Sequence, residues 1–210
     1  MAVPESPIRG IVAIVRLRRE TPTDALLDAL LAGGVRQVEI TVDSPSAHEV
    51  ISRWARRGDA LVGAGTIRTA ADAEAAIAAG AQFLVTPTTV DAVLDTARTR
   101  GVPVACGALT PTEIDDAWSR GAAAVKVFPI GTVGGVSYLK AVRAPLHDVP
   151  LLPTGGVDAG NITAYAAAGA VGVGVGSSLV SEDLVAAGDW DAVRERALSL
   201  VEAWEAGRDA

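Results

Sequence analysis

Two lysines stand beside 16 arginines in this 210-residue chain, and one of them, Lys126, lies inside the apolar run Ala-Ala-Val-Lys-Val-Phe at 123–128. Arginine is the ordinary surface cation of the protein, so a lysine within an apolar segment needs a separate reason. If the segment is a strand, Lys126 and Phe128 share one face, opposite Val125 and Val127. On an inward face, burial favours the neutral amine. A neutral amine attacks a ketone and forms a Schiff base. By periodicity alone, a lysine snorkelling from a strand end, or one paired with an acid, fits equally well.

Glu39 sits within Val-Glu-Ile-Thr-Val, on the same face as Thr41. An inward carboxylate can pair with Lys126, act as a general acid/base through a water, or form a structural ion pair with an arginine. Arg16 ends the run Ile-Val-Ala-Ile-Val, and its guanidinium fork suits a substrate carboxylate. Arg18 and Arg19 read as a solvated face. Gly63-Ala-Gly65-Thr66 leaves room at the end of a strand and offers the Thr66 hydroxyl and N–H, although simple strand termination explains it too. Thr86-Pro87 and Cys106-Gly107 read as pocket wall. Cys106, with no histidine near it in sequence, reads as a buried apolar thiol rather than a nucleophile. His48 and His147 read as surface residues.

Two glycine turns complete the set. Thr154-Gly155-Gly156 follows one apolar run, and Gly174-Val-Gly176-Ser177-Ser178 follows the next and opens a helix. Backbone N–H groups at such turns bind phosphate. Each turn alone is a weak signal, and their joint placement is more specific.

These residues need a scaffold that gathers them. Eight short Val/Ile/Ala-rich runs recur, at 11–15, 38–42, 60–65, 83–86, 102–106, 123–128, 149–153 and 171–176. Most are apolar at consecutive positions, as expected of parallel strands covered on both sides. The stretches between them read as helices. Thr21-Pro22 and Ser44-Pro45 are expected to open the first two, and Thr110-Pro-Thr-Glu113 has capping-box spacing. Gly34, Gly58, Gly80, Gly101, Gly121 and Gly169 are expected to stop helices in the left-handed conformation. Eight βα units predict a single-domain (β/α)8 barrel over 1–210, with the chemistry at the C-terminal ends of the strands. An open doubly wound sheet is the alternative, but no G-x-G-x-x-G follows the first strand. A closing helix is expected from Trp190 to Ala206, with a frayed Gly-Arg-Asp-Ala end.

Composition narrows the class. A formal charge of -7 argues against nucleic-acid binding, and one cysteine with two histidines argues against a disulfide framework or a metal centre. The start, with five apolar residues in a row followed by charges, is unlike a signal peptide. The uncharged stretch Ala159–Ser181 carries five glycines and reads as core rather than as a membrane span. A cytoplasmic protein is expected.

As a set, these segments resemble the class I 2-keto-3-deoxy-6-phosphogluconate (KDPG) / 4-hydroxy-2-oxoglutarate (KHG) aldolase family. The matching pieces are Ala-Ile-Val-Arg16, Val-Glu39-Ile-Thr, Val-Gly-Ala-Gly-Thr66, Leu-Val-Thr-Pro87, Thr-Pro-Thr-Glu113, Val-Lys126-Val-Phe-Pro129, Pro-Thr-Gly-Gly156 and Gly-Val-Gly-Ser177, in the family's order. The resemblance implies that Lys126 forms the Schiff base and Glu39 is the general acid/base. It places Arg16 and Thr66 at the substrate carboxylate and Gly155, Gly156 and Ser177 at the phosphate; Pro87 and Phe128 are expected in the pocket and Gly176 in the phosphate turn. It also implies a homotrimer, a small keto-acid phosphate as substrate, and no cofactor or metal. Thr41-Val-Asp43-Ser44 departs from the family's frequent Thr-Leu-Arg-Thr, and Asp43-Ser-Pro is similar to the Asn-Ser-Pro of the 2-keto-3-deoxy-6-phosphogalactonate branch. Ala105-Cys106-Gly107 stands where Pro-Gly is frequent. Both departures bear on substrate choice. The competing readings are a phosphogalactonate aldolase, an isomerase in which Lys126 acts only electrostatically, and a non-catalytic sugar-phosphate-binding barrel.

Overall fold

The computed structural model describes residues 6–209. Eight parallel strands alternate with helices: β1 (Gly10–Val15), α1 (Asp24–Ala32), β2 (Gln37–Thr41), α2 (Ala47–Ala55), β3 (Leu61–Gly65), α3 (Ala70–Ala78), β4 (Phe83–Val85), α4 (Asp91–Arg100), β5 (Val104–Ala108), α5 (Pro111–Ser119), β6 (Ala124–Val127), α6 (Gly135–Arg143), β7 (Leu151–Pro153), α7 (Ile162–Ala167), β8 (Gly172–Val175), α8 (Glu182–Ala187) and α9 (Trp190–Arg208). Strands pair in chain order from β1 to β7, and β8 pairs with β1. A parallel bridge between Thr154 and Gly174 closes β7 onto β8. The result is the expected (β/α)8 barrel.

Two apolar layers follow from strand alternation. Val38 and Ile40, Val62 and Ala64, and Val125 and Val127 point outward and pack under the helices. Val12, Phe83, Val85, Ala105, Ala124 and Leu152 point inward and, with Ile8, fill the barrel. The inward set leaves Glu39, Thr41, Lys126 and Thr154 on the same interior, all buried. An apolar plug below and polar groups above is what sets the site at one end.

The six helix-stopping glycines all have φ between +67° and +101°. The Thr110–Glu113 capping box forms as expected, and the Glu113 carboxylate also accepts the Leu109 N–H at 3.0 Å. The N–H groups of Thr110 and Leu109 hold that carboxyl below the usual carboxylate range. A depressed acid stabilises above its unfolded value and loses that contribution as pH falls through the folded value. Thr110→Ala is expected to cost about 1 kcal/mol. Glu113→Gln is expected to make the acid limb of the stability curve shallower. Thermal melts between pH 3 and 7 check both.

Three local readings are corrected. The N-caps of α1 and α2 are Thr23 and Ser46, two residues beyond Thr21 and Ser44. Ser44 is instead buried, its Oγ accepting the Leu17 N–H at 3.1 Å and lying 3.0 Å from Thr41 Oγ1. β5 begins at Val104, not Val102, and runs to Ala108. The last turn of α9 is packed rather than frayed: Gly207 is buried, and a Cβ there would lie 2.3 Å from the Thr163 carbonyl of α7. Ala210 lies outside the described residues.

Candidate active site

Lys126 lies near the C-terminal end of β6, between Gly107 of β5 and Leu152 of β7. It is 5% exposed, and its Nζ stands 5.3 Å from the Phe128 ring centroid. Among the described residues no carboxylate pairs with it, so neither the snorkelling nor the ion-paired reading holds.

Glu39 lies between Ile14 of β1 and Gly63 of β3 and is 1% exposed. Of the roles open to it in the sequence, neither a pairing with Lys126 nor an ion pair with an arginine is present among the described residues. Its Oε1 is buried and has no hydrogen-bond partner among the described residues. Such an atom is costly unless something in the working protein uses it. Room for the carboxylate comes from Gly65, where a Cβ would lie 1.7 Å from Oε1. Gly63 likewise yields to the Phe83 ring and Gly174 to the Thr154 side chain. Small residues on the inward faces of β3 and β8 thus make space for Glu39, Phe83 and Thr154.

A cavity of about 340 Å³ opens at this end of the barrel, lined by Arg16, Lys126, Phe128, Gly155, Gly156, Gly176 and Ser177 among others. Seven of the ten sequence-derived site residues therefore share one wall. Glu39 and Thr66 are not on it. Glu39 is buried in the barrel interior, and Thr66 meets Arg16, whose Nη2 donates to Thr66 Oγ1 at 3.0 Å. Thr66 has φ +62°, an unusual conformation for a β-branched residue, held where it orients the guanidinium. Pro87 lines a neighbouring cavity of about 280 Å³, on which Phe128 also borders.

The wall also contains residues with no role assigned from sequence: Thr154 and Ser178 stand out there only as parts of the glycine turns, and Asp158 not at all. Thr154 is 3% exposed and lines the cavity, and Asp158 and Ser178 line it beside the glycine turns. Inward alternation with Leu152 was the available signal for Thr154. Cys106 is fully buried on the outward face, receiving the Thr86 hydroxyl at 3.7 Å, as expected of an inert thiol. His48 and His147 are exposed.

Among the described residues, no three of His, Cys, Asp and Glu come together as a metal site, and no helix is long and apolar enough to cross a membrane. A Schiff-base route draws its electron sink from the lysine iminium and not from a metal ion, so turnover is expected to persist in EDTA. A loss restored by a divalent ion would contradict this.

A parallel barrel with a buried lysine and a buried carboxylate at its C-terminal end, beside glycine turns, is an arrangement suited to Schiff-base chemistry on a phosphate-bearing carbonyl substrate. The chain belongs to the KDPG and KHG aldolase family, whose model matches residues 7–196. It is 36% identical over 184 residues to a 2-dehydro-3-deoxy-phosphogluconate aldolase of Treponema pallidum, covering 87% of this chain and 88% of that one. It is 35% identical over 208 residues to a probable 2-dehydro-3-deoxy-6-phosphogalactonate aldolase of Rhizobium meliloti, covering 97% and 96%. A native KDPGal structure superposes with a TM-score of 0.88 over the whole of both chains at 30% identity. The KDPG aldolase of Legionella pneumophila, with pyruvate captured as a covalent carbinolamine, superposes with a TM-score of 0.81 at 27% identity, covering 91% and 94%.

Proposed function

We propose that the chain is a one-domain class I aldolase that cleaves KDPG to pyruvate and glyceraldehyde 3-phosphate, and KHG to pyruvate and glyoxylate. The observation that carries this is a buried lysine on the cavity wall and, in the same barrel interior, a buried carboxylate with an oxygen that has no partner among the described residues. The Legionella relative, caught with pyruvate as a carbinolamine, supports the same chemistry.

The Lys126 amine attacks the C2 ketone, and the carbinolamine loses water to give an iminium. Glu39, through that water, takes the proton of the C4 hydroxyl. The C3–C4 bond breaks, its electron pair flows into the iminium, and an enamine and an aldehyde result. Protonation at C3 and hydrolysis release pyruvate and return the amine. Arg16, oriented by Thr66, binds the carboxylate. Phe128 and Pro87 form the pocket wall. The N–H groups of Gly155, Gly156, Gly176 and Ser177 hold the phosphate. The enzyme works as a cytoplasmic homotrimer.

The likeness to phosphogalactonate aldolases over almost the full chain favours 2-keto-3-deoxy-6-phosphogalactonate as the second reading. Pyruvate release, coupled to lactate dehydrogenase, decides among the three substrates. Release from none of them would contradict the proposal. Ser177→Asp is expected to lower kcat/KM for the phosphorylated acids by about tenfold or more through charge repulsion, and to spare KHG. An equal fall for both classes, or none, would remove the phosphate site from these turns.

A further inference from the structure

Glu182 and Asp183 both lie in the first turn of α8. Acids there are ordinarily explained by the helix dipole. Asp183 fits, with its side chain 98% exposed and its one contact with the neighbouring loop a long one, Oδ1 4.0 Å from Arg19 Nη2. Glu182 does not, because its side chain is 23% exposed and turns toward the loop between β1 and α1. Its Oε1 accepts the Arg18 N–H, and also the Arg19 N–H at 3.4 Å. Its Oε2 is buried, with no hydrogen-bond partner and the Arg19 Nε at 3.9 Å.

The same loop is held from its other side. Asp43 Oδ2 lies 2.8 Å from Arg18 Nη1. The Leu17 N–H donates to Ser44 Oγ at 3.1 Å. Residues 17, 18 and 19 are thus each tied to a neighbouring element, and the residue they carry into the cavity wall is Arg16. Glu182 is the hydrogen-bonded tie that reaches α8, and α8 begins five residues after Ser177 of the second glycine turn.

We propose that Glu182 is a positioning residue for Arg16. By accepting the N–H groups of Arg18 and Arg19 it fixes the β1–α1 loop against α8. It thereby sets the separation between Arg16 and Ser177, the groups that grip the two ends of a linear keto-acid phosphate. This rests on the reading of Arg16 as the carboxylate ligand. Both N–H groups belong to exposed residues and can turn to water when Glu182 is removed. The fold therefore survives the loss, and the position of the loop does not.

The test uses pyruvate as the probe, with borohydride labelling of Lys126 as the readout. Glu182→Ala is expected to raise the half-saturating pyruvate concentration and the KM for KDPG about tenfold, the equivalent of about 1.4 kcal/mol. It is expected to change kcat by less than about threefold, as for lost ground-state binding. Glu182→Gln keeps an acceptor oxygen and is expected to restore most of the affinity. In an Arg16→Ala background, Glu182→Ala is expected to add nothing. The proposal is overturned if half-saturation does not move, if the effect persists without Arg16, or if Glu182→Ala lowers the melting temperature and Glu182→Gln does not recover binding. An unlabelled wild type overturns the Schiff-base reading as well, which separates that failure from the others.

Discussion

Lys126→Arg is expected to leave a folded protein with no measurable pyruvate release. A guanidinium stays protonated at any working pH, so it keeps the charge and loses the nucleophile. If Lys126 were only an electrostatic aid to a phosphate, arginine would serve as well or better. Lys126→Met, an uncharged side chain of similar length, controls for packing against Phe128 and is expected to be equally inactive. Retained turnover in Lys126→Arg would return the protein to the isomerase or binding-barrel readings. The measurement is initial rate by the coupled assay, with circular dichroism to show that each variant is folded.

Glu39→Gln is expected to slow turnover by about 100-fold or more, the usual cost of losing a general acid/base. The amide is nearly isosteric, so the space opened by Gly65 still accommodates it. Stability should hold or rise, because Glu39 Oε1 has no hydrogen-bond partner to lose. The combination of lost rate and kept stability separates catalysis from structure. A purely structural acid would show the reverse.

The fold was legible because its signals are local. A glycine that ends a helix at positive φ does so whatever surrounds it, and all six expected stops have that geometry. The cap at Thr110 was legible for the same reason, since both partners lie within four residues. Ser44 misled because its hydroxyl is used by the Leu17 N–H of another loop, a tertiary contact with no trace in the neighbouring sequence. The end of α9 misled because Gly207 looks like a terminus in sequence and is in fact the close contact with α7.

The candidate site was legible where a polar residue interrupts an apolar strand, as Lys126 and Glu39 do. Alternation then gives the face. It does not give distance across the barrel, so it could not decide whether Lys126 and Glu39 pair. Nor does it reveal Glu182, which in sequence is one more acid opening a helix. The split of the pocket, with Pro87 in a cavity beside the one that holds Lys126, depends on where the Phe128 ring stands.

The central claim is that Lys126 forms a covalent imine with the substrate ketone. Incubation with pyruvate and borohydride, followed by digestion and mass spectrometry, tests it most directly. The account predicts irreversible inactivation with one reduced pyruvyl group per chain, on Lys126. A label on Lys140, the other lysine of the chain, or full activity with no label would contradict it.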